Sequence, residues 1–402
     1  MNEKTGLRVR IESSIGDIAP EVWDACAFKA ESNSQVGESI SQPDPYNPFI
    51  SHDFLASLEI SGAVAARTGW LPQHTLVENA AGDVLAAMPC YLKNHSQGEY
   101  VFDHGWAEAH ERAGGDYYPK LQVSVPFTPV TGPRLLVRDG PNADAARQAL
   151  VAGGIELTKR RGASSLHITF PTESEWKFLS TLGLLARTDR QFHWLNQGYK
   201  SFDDFLAALA SRKRKAISHE RREAQEGVEI VRLSGSGLTE EVWDAFFDFY
   251  LDTGSRKWGR PYLNRVFFSI VSAAMADRIV LIMAKRAGRW IAGALNFLGD
   301  HAIYGRYWGA VEHRPFLHFE LCYYQAIEFA IERGLARVEA GAQGPHKLAR
   351  GYVPVTTYSA HYIADPGLRR AIADYLVHER DYVRAEADEL AAMAPFRKND
   401  TP

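Results

Sequence analysis

Cysteine is scarce in this sequence: Cys26, Cys90 and Cys322 stand far apart among 402 residues. They form no C-x-x-C pair and no histidine spacing typical of zinc, so neither a disulfide framework nor a zinc site is indicated. Long apolar runs are missing too, since none approaches the roughly 18 residues of a transmembrane helix. The N-terminus lacks the apolar core of a signal peptide. These absences predict a reduced cytoplasmic chain without a bound metal, which contacts a membrane only peripherally at its inner face.

The sequence also lacks a large excess of basic or of acidic residues. The chain has 45 Lys and Arg against 49 Asp and Glu, a formal net charge of −4. Proteins whose whole surface is adapted to nucleic acid are strongly basic, so a DNA-binding protein is not indicated. The composition, 46% hydrophobic and 23% charged, is typical of a globular protein with two or three domains.

An internal repeat is present. EVWDA occurs at residues 21–25 and again at 241–245, and five weaker matches follow in the same order in both halves. Among them, YVFDHGWA matches AIYGRYWGA, ASSLHITF matches LARVEAGA, and RQFHWLN matches YSAHYIA. Ordered matches of this kind indicate a duplicated domain. The sequence therefore predicts one domain at 1–197 and a second at 198–402.

The copies differ in length. Relative to the second copy, the first carries an insertion of 30 residues at about 107–137, rich in proline and aromatic residues. A charged helical segment follows each copy, at about 201–226 and at about 367–393. The sequence thus predicts two similar domains with helical arms.

The second copy shows the clearest secondary structure. RIVLIMAKRAG, RWIAGALNFLGD and HAIYGRYWGAV are short β-type runs separated by Gly and Asp, which predicts a three-stranded meander. Apolar residues at i, i+3, i+4 and i+7 then predict a helix from about Phe316 to Gly334. The strand ARVEAGA, the polar stretch EAGAQGPHKLARGYVPV and the strand TTYSAHYIA follow. Strands covered by one helix predict a mixed α/β sheet.

This element order, repeated in tandem, resembles the GNAT acyltransferase fold doubled as in the FemAB-like family. NPFISHDFL, RKRKAISHERREA, LHFELCYYQAIEFAIERG and EAGAQGPHKLARGYVPV resemble its branch of predicted N-acyltransferases of the peptidoglycan-biosynthesis type. The resemblance implies an α/β chain of tandem GNAT-like domains that transfers an acyl group to a primary amine. Better-known members take aminoacyl groups from tRNA, whereas relatives of the bacterial ceramide-synthase type are linked to N-acylation of sphingoid bases from acyl-CoA.

Three functions stay open at this point. The first is an N-acyltransferase that uses acyl-CoA as co-substrate, with no permanently bound cofactor, and acylates a sphingoid base or another lipid or small amine. The second is an aminoacyl-tRNA-dependent aminoacyltransferase that acts on a cell-wall precursor. The third is a non-catalytic binding module on the same scaffold.

The resemblance also implies where the donor binds. In the GNAT fold, backbone N–H groups at the turn into the central helix hold the donor pyrophosphate. Here Arg314 is followed by Pro315, Phe316 and Leu317 instead of glycines, so Arg314 is a phosphate-binding candidate while the donor stays undecided. FemAB-like relatives have a lysine at the donor carbonyl in the polar stretch that follows the next strand.

Ala349 occupies the position of that lysine, so either Lys347 or Arg350 is expected to substitute for it.

Two further catalytic candidates lie in the predicted helix. Glu320 falls on its apolar stripe, where a partly desolvated carboxylate suits a general base. The alternative is a buried ion pair with a partner such as Arg306 or Lys347. His318, in the first turn, is a second candidate base or a structural histidine.

The remaining candidates are polar or aromatic residues expected near the substrates. Those predicted to bind substrate are Asp103, His104, Tyr118, Lys120, Arg306, Tyr323, Glu339 and His346. The basic helix places Arg212, Lys215 and Arg222 on one face, which can bind tRNA, the phosphates of CoA or an anionic membrane. A solvated face balanced by neighbouring glutamates is the alternative.

Overall fold

The computed structural model describes residues 6–28, 45–257, 261–341, 344–393 and 395–397. The chain folds as two compact α/β units. Unit 1 comprises Met1–Asn33, Phe49–Asp189 and Thr356–Arg384, and unit 2 comprises Ser34–Pro48, Arg190–Val355 and Ala385–Pro402. Within the described ranges, no helix is both long and apolar enough to cross a bilayer.

The first part of the chain builds most of unit 1. Its helices are α1 (Pro20–Ala27), α2 (His52–Ile60), α3 (His104–Arg112), α4 (Ala143–Arg160) and α5 (Glu173–Thr181). Its strands are β1 (Arg8–Glu12), β2 (Trp70–Pro72), β3 (His74–Glu78), β4 (Val84–Met88), β5 (Cys90–Lys93), β6 (Lys120–Val123), β7 (Leu136–Val137), β8 (Ser165–Thr169) and the start of β9 (Leu185–Leu195). One sheet has the order β1-β3-β4-β7, and a second contains β2, β5, β6 and β8 with β6 parallel to β8.

The later part of the chain builds most of unit 2. Its helices are α6 (Phe202–Ala208), α7 (Ser211–Gln225), α8 (Glu240–Lys257), α9 (Arg265–Met275), α10 (Leu317–Phe319) and α11 (Gln325–Glu332). The last helix, α12 (Pro366–Ala392), begins in unit 1 and ends in unit 2. Its strands are β10 (Glu229–Leu233), β11 (Ile279–Arg286), β12 (Arg289–Leu298), β13 (Ala302–Ala310), β14 (Arg337–Glu339) and the start of β15 (Val353–Ile363). The sheet order is β10-β11-β12-β13-β14-β9, with β13 parallel to β14.

The helical segment between β13 and β14 crosses one face of this sheet. A π-helical turn, Glu320–Tyr324, joins α10 to α11, and these three segments are called the central helix below. Its apolar stripe packs on one face of the sheet, where Ile303, Val338 and Trp194 are buried. The local apolar period therefore predicted the helix correctly, whereas π-helical turns have no such periodic signal and often mark functional sites.

Strands β9 and β15 each begin in one unit and end in the other. In unit 2, β14 pairs antiparallel with the end of β9, and Val338 lies opposite Trp194. In unit 1, β8 pairs antiparallel with the end of β15, and Ile168 lies opposite Ala360. Each unit thus contains a strand that belongs to the other sequence copy. The copies 1–197 and 198–402 stay a prediction about the duplication and do not coincide with the compact units.

One pair of matched segments differs in structure. AIYGRYWGA forms β13, whereas in YVFDHGWA residues 101–103 are irregular and α3 begins at His104. The strand of unit 1 that pairs in parallel, as β13 does in unit 2, is β6, which lies inside the predicted insertion of 107–137. The predicted helix at 201–226 divides into α6 and α7, because Leu209 is extended and bridges to Phe396.

Gly309 on β13 has no room for a side chain. A Cβ there would lie 2.1 Å from the backbone oxygen of Phe249 on α8. Gly309→Ala is therefore expected to destabilise the chain by about 2 kcal/mol or more, since backbone shifts are costly. The matched control is Gly105→Ala on α3. A Cβ there would meet no described atom within 4 Å outside its own helical turn, and alanine favours the helix. Equal urea midpoints for the two variants would contradict this prediction.

Candidate functional site

The sheet of unit 2 opens beside the central helix. The parallel pairing of β13 and β14 ends where Tyr304 faces Glu339. Beyond that point β13 continues to Ala310, while the segment after β14 leaves the sheet and forms a 3-10 turn at Pro345–Arg350. Arg306 is the extra residue of a β-bulge, because Gly305 and Tyr307 face consecutive residues of β12. Bulges re-aim side chains beside active sites, so this opening is the candidate site.

Lys347 lies buried at the opening. Its Nζ donates to the carbonyl oxygens of Ala340 at 2.5 Å and Gly341 at 2.9 Å, just after β14 ends. Burial lowers the pKa of Lys347 to about 7, with Cys322 opposing the shift and Arg306 reinforcing it. An ammonium has three donors, so one N–H can point to a ligand beyond the two carbonyls. A group with this pKa can both donate and release a proton near neutral pH.

An aromatic wall adjoins this lysine. The Tyr323 hydroxyl lies 2.9 Å from His346 Nε2, which brings two predicted substrate-binding residues together. Burial raises the pKa of Tyr323 above its usual value, as does Cys322, so the phenol stays protonated. The ring of His318 lies 5.5 Å from that of Tyr323 and 5.2 Å from that of Trp308. His318 therefore belongs to the wall at the start of the central helix.

Arg350 is engaged elsewhere. Its Nη2 donates to both carboxylate oxygens of Glu220 on α7 at 3.2 and 3.0 Å, and its guanidinium lies 3.4 Å from the Phe319 ring centre. The Tyr324 hydroxyl donates to the same glutamate. An arginine held in this way must break a partly buried ion pair before it can reach the carbonyl group of an acyl donor. Of the two candidates, Arg350 is committed to Glu220, whereas Lys347 lies at the opening itself.

Glu320 is fully buried and surrounded by donors. Arg221 on α7 donates to both of its oxygens at 3.1 Å, and the amides of Gln225 and Gln325 each donate to Oε1 at 2.8 Å. The partner is thus Arg221, and not Arg306 or Lys347 as the sequence suggested. Arg221 also pairs with Glu328 at 2.9 Å, so the network fastens α7 to the central helix.

Glu339 lies at the last paired position of β14. Its Oε1 accepts from Arg337 Nε at 2.8 Å, and its Oε2 lies 3.7 Å from His193 Nε2 on β9. Burial lowers the pKa of His193; Glu339 opposes that shift, and Arg337 and Lys347 reinforce it. The imidazole is therefore neutral at physiological pH.

Unit 1 contains a separate buried polar cluster. Lys120 Nζ donates to Asp103 Oδ2 and to Ser96 Oγ, both at 2.6 Å, and Tyr118 donates to the same serine at 2.9 Å. Burial alone would raise the pKa of Asp103, but Lys120 and His167 hold it well below its usual range. Three predicted residues, Asp103, Tyr118 and Lys120, are thus brought together.

His104 is not part of that cluster. It is exposed at the start of α3 and stacks on Phe102, with ring centres 6.2 Å apart.

The basic face of α7 is exposed at Arg212, Lys215 and Arg222. Arg314 donates to the Glu226 carbonyl oxygen at 2.8 Å, just after α7 ends. An open groove of about 1020 Å³ runs along α7; its lining residues include Arg222, and it also carries Glu223 and Glu328. The lining of the groove therefore has mixed charge, whereas Arg212 and Lys215 do not belong to that lining.

The family model of FemAB-like proteins, described as peptidoglycan biosynthesis/recognition, matches residues 14–398. The chain belongs to the FemAB-like family. A comparison with curated proteins found no match.

Solved structures resemble this FemAB-like chain in fold. FemX is 13% identical with a TM-score of 0.52, covering 85% of this chain and 99% of its own. L-PGS from Bacillus licheniformis is 9% identical with a TM-score of 0.50, covering 92% of this chain and 99% of its own. A tandem GNAT protein from the clavulanic acid biosynthesis pathway is 15% identical with a TM-score of 0.47, covering 90% and 99%.

The predicted fold class, tandem GNAT-like domains of mixed sheet with helical arms, is confirmed, and the FemAB-like protein is an acyl- or aminoacyltransferase. The non-catalytic binding module is set aside.

Sequence reasoning missed several residues that hold this site together. Arg221 and Glu220 lie in the basic helix, whose charges all looked equally exposed in the sequence. His193 was missed although RQFHWLN matches YSAHYIA, a match that aligns it with His361. That alignment was the available signal, because equivalent positions of a duplicated fold occupy equivalent places in its sheets.

Proposed function

We propose that this FemAB-like transferase is an N-acyltransferase that moves an acyl group from an acyl-CoA-type thioester to a primary amine at the opening of the unit 2 sheet. The observation that carries the proposal is Lys347, a buried amine held by two carbonyl oxygens where β13 and β14 part. A fixed donor in a water-poor site stabilises the negative charge that develops on an acyl oxygen.

Each group at the opening then has a task. The acceptor ammonium first loses one proton to solvent, because only the neutral amine has a free electron pair. The neutral amine then attacks the thioester carbonyl carbon and a C–N bond forms, while the carbonyl oxygen gains charge beside the third N–H of Lys347. The C–S bond then breaks and the thiolate leaves with its electron pair. Lys347 can give that thiolate its proton, since burial has lowered its pKa to about 7. The nitrogen, which became cationic on attack, loses its excess proton to solvent, and the product is a neutral amide.

The acceptor is proposed to be a lipid-like or small primary amine, with a sphingoid base as the first choice because of the branch that the sequence resembles. Arg212, Lys215 and Arg222 are exposed on α7 and suit peripheral contact with an anionic bilayer, where each basic residue contributes about 1 kcal/mol.

A donor panel tests the reaction. Purified protein is offered short and long acyl-CoA together with sphinganine or an amino sugar, and products are identified by mass spectrometry. An N-acylated amine that requires both substrates is expected. The proposal fails if no donor in the panel yields such a product.

The pH dependence tests the role of Lys347. This residue must be protonated to donate, so kcat at saturating substrates is expected to fall as pH rises through about 7. In Lys347→Arg the guanidinium stays protonated, so this fall should disappear. An identical fall in both proteins would assign the titration to another group.

A second donor, aminoacyl-tRNA, is favoured by one specific observation. The turn into the central helix contains Phe316 at a φ of 59° instead of a glycine, next to the exposed basic face of α7. If tRNA binds there, its affinity falls steeply as the salt concentration rises. Replacing both Arg212 and Lys215 with glutamate should then reduce the slope of log affinity against log salt concentration by about two. Unchanged tRNA binding in the double variant would exclude this donor site.

A further inference from the structure

The two units carry equivalent pairs of buried side chains. In unit 1, His167 on β8 faces His361 on β15. In unit 2, Glu339 on β14 faces His193 on β9. The sequence repeats align the same positions, His167 with Glu339 and His361 with His193. Each pair therefore joins one residue from each sequence copy.

The pair in unit 1 is saturated with hydrogen bonds. The two Nδ1 atoms lie 2.7 Å apart, so one ring donates to the other. The two Nε2 atoms lie within hydrogen-bond distance of serines, His167 at 2.7 Å from Ser165 and His361 at 2.9 Å from Ser359. All four ring nitrogens have a partner, which leaves this pair no free position for a ligand.

The pair in unit 2 is not saturated. Arg337 occupies Oε1 of Glu339, but His193 stands 3.7 Å from Oε2, beyond hydrogen-bond distance. Among the described residues, no donor reaches this buried oxygen. A buried carboxylate oxygen without a donor costs about 1–3 kcal/mol or more, and a ligand that brings a donor recovers that cost.

The position of this oxygen fits an acceptor. Val338 and Trp194, the neighbours of the pair, pack against the central helix. Since side chains alternate along a strand, Glu339 and His193 lie on the opposite face of the sheet. They also stand at the last paired position before the opening where Lys347 lies. The two side chains therefore adjoin the opening and do not lie on the face that the central helix covers.

We propose that Glu339 and His193 form the subsite that receives the ammonium group of the acceptor. The ammonium donates to Glu339 Oε2, which matches a cationic donor with an anionic acceptor. Arg337 keeps Oε1 in place, and the uncharged imidazole of His193 closes the subsite without repelling a cation. This subsite rests on the proposed function, because that function makes the acceptor a primary amine.

Binding of two matched probes tests the subsite without any donor. Octylamine and 1-octanol share a chain and differ in the ammonium group, and their affinities are measured by calorimetry near neutral pH. The unsubstituted protein is expected to prefer the amine by about tenfold or more, as a charge-assisted hydrogen bond allows. Glu339→Gln keeps the shape and the bond from Arg337, and is expected to erase that preference.

The matched control is Glu78→Gln, a buried glutamate of unit 1 that pairs with Arg8 and Arg10 and should leave the preference unchanged. If Glu339→Gln does not fold, Glu339→Asp withdraws the carboxylate and should weaken octylamine binding by about tenfold. No preference in the unsubstituted protein, or an undiminished preference in the Glu339 variant that folds, overturns the subsite.

These outcomes are separate from those of the donor panel. N-acyl products with an unchanged amine preference in Glu339→Gln would remove the subsite and leave the proposed function. A preference erased by Glu339→Gln, with no product from any donor, would leave the subsite and remove the thioester reaction.

Discussion

Lys347→Met is expected to lower kcat by about 10²- to 10³-fold, the loss that follows removal of one preorganised hydrogen-bond donor to the oxyanion. Lys347 holds its position through the carbonyl oxygens of Ala340 and Gly341, so methionine fills the space without supplying a donor. The KM of the acceptor should change little, because the interaction strengthens only as charge develops on the acyl oxygen. Steady-state kinetics with both substrates varied measures the two effects separately.

Stability should change little in this variant. Burial lowers the pKa of Lys347 to about 7, so its ammonium costs stability below pH 7, and that cost disappears as pH rises towards the unfolded value. Methionine removes the cost of burying the ammonium, which stabilises the protein. It also leaves two carbonyl oxygens without their donor, which destabilises it, and each effect is a few kcal/mol at most.

The matched control is Lys93→Met. Lys93 is a buried lysine of unit 1 whose pKa is also lowered to about 7 by burial. It should leave kcat unchanged. A large loss in Lys93→Met with normal kinetics in Lys347→Met would assign the chemistry to unit 1 and contradict the proposal.

A structural feature could be predicted from the sequence when the contacts that determine it are local. The helix predicted from Phe316 to Gly334 exists at 317–332 because its apolar period is encoded within its own turns. Strands β11 to β15 were found for the same reason, whereas β10 was not predicted. The exchange of β9 and β15 between the units could not be found in this way, because Val338 selects Trp194 through packing between distant segments.

The candidate site follows the same division. The apolar stripe predicted that Glu320 is buried, and it is. Its partner Arg221 lies 99 residues earlier, among basic residues that local sequence cannot rank. The resemblance placed a lysine at position 349, and the structure has the buried amine two residues earlier, because the 3-10 turn directs Lys347 back to the end of β14.

Arg221→Met is expected to lower the free energy of unfolding by about 3–5 kcal/mol, because it leaves the carboxylate of Glu320 buried without a counter-ion. Two amide donors, Gln225 and Gln325, remain but carry no charge. The matched control on the same helix is Arg212→Met, an exposed position where a change within about 0.5 kcal/mol is expected. Urea unfolding of both variants measures the difference, and equal midpoints would contradict the role of this pair.

The double variant Arg221→Met with Glu320→Met identifies the cause of the loss. If the unpaired charge of Glu320 causes the loss, removing that charge should restore most of the lost free energy of unfolding. If a packing defect causes it, the double variant should be as unstable as Arg221→Met or less stable. Glu320→Gln then separates structure from chemistry, since glutamine still accepts from Arg221 and cannot take a proton as a base. We expect this variant to retain kcat within about tenfold, because Lys347 carries the proposed chemistry. A loss beyond about 10²-fold in a folded protein would instead support Glu320 as the general base.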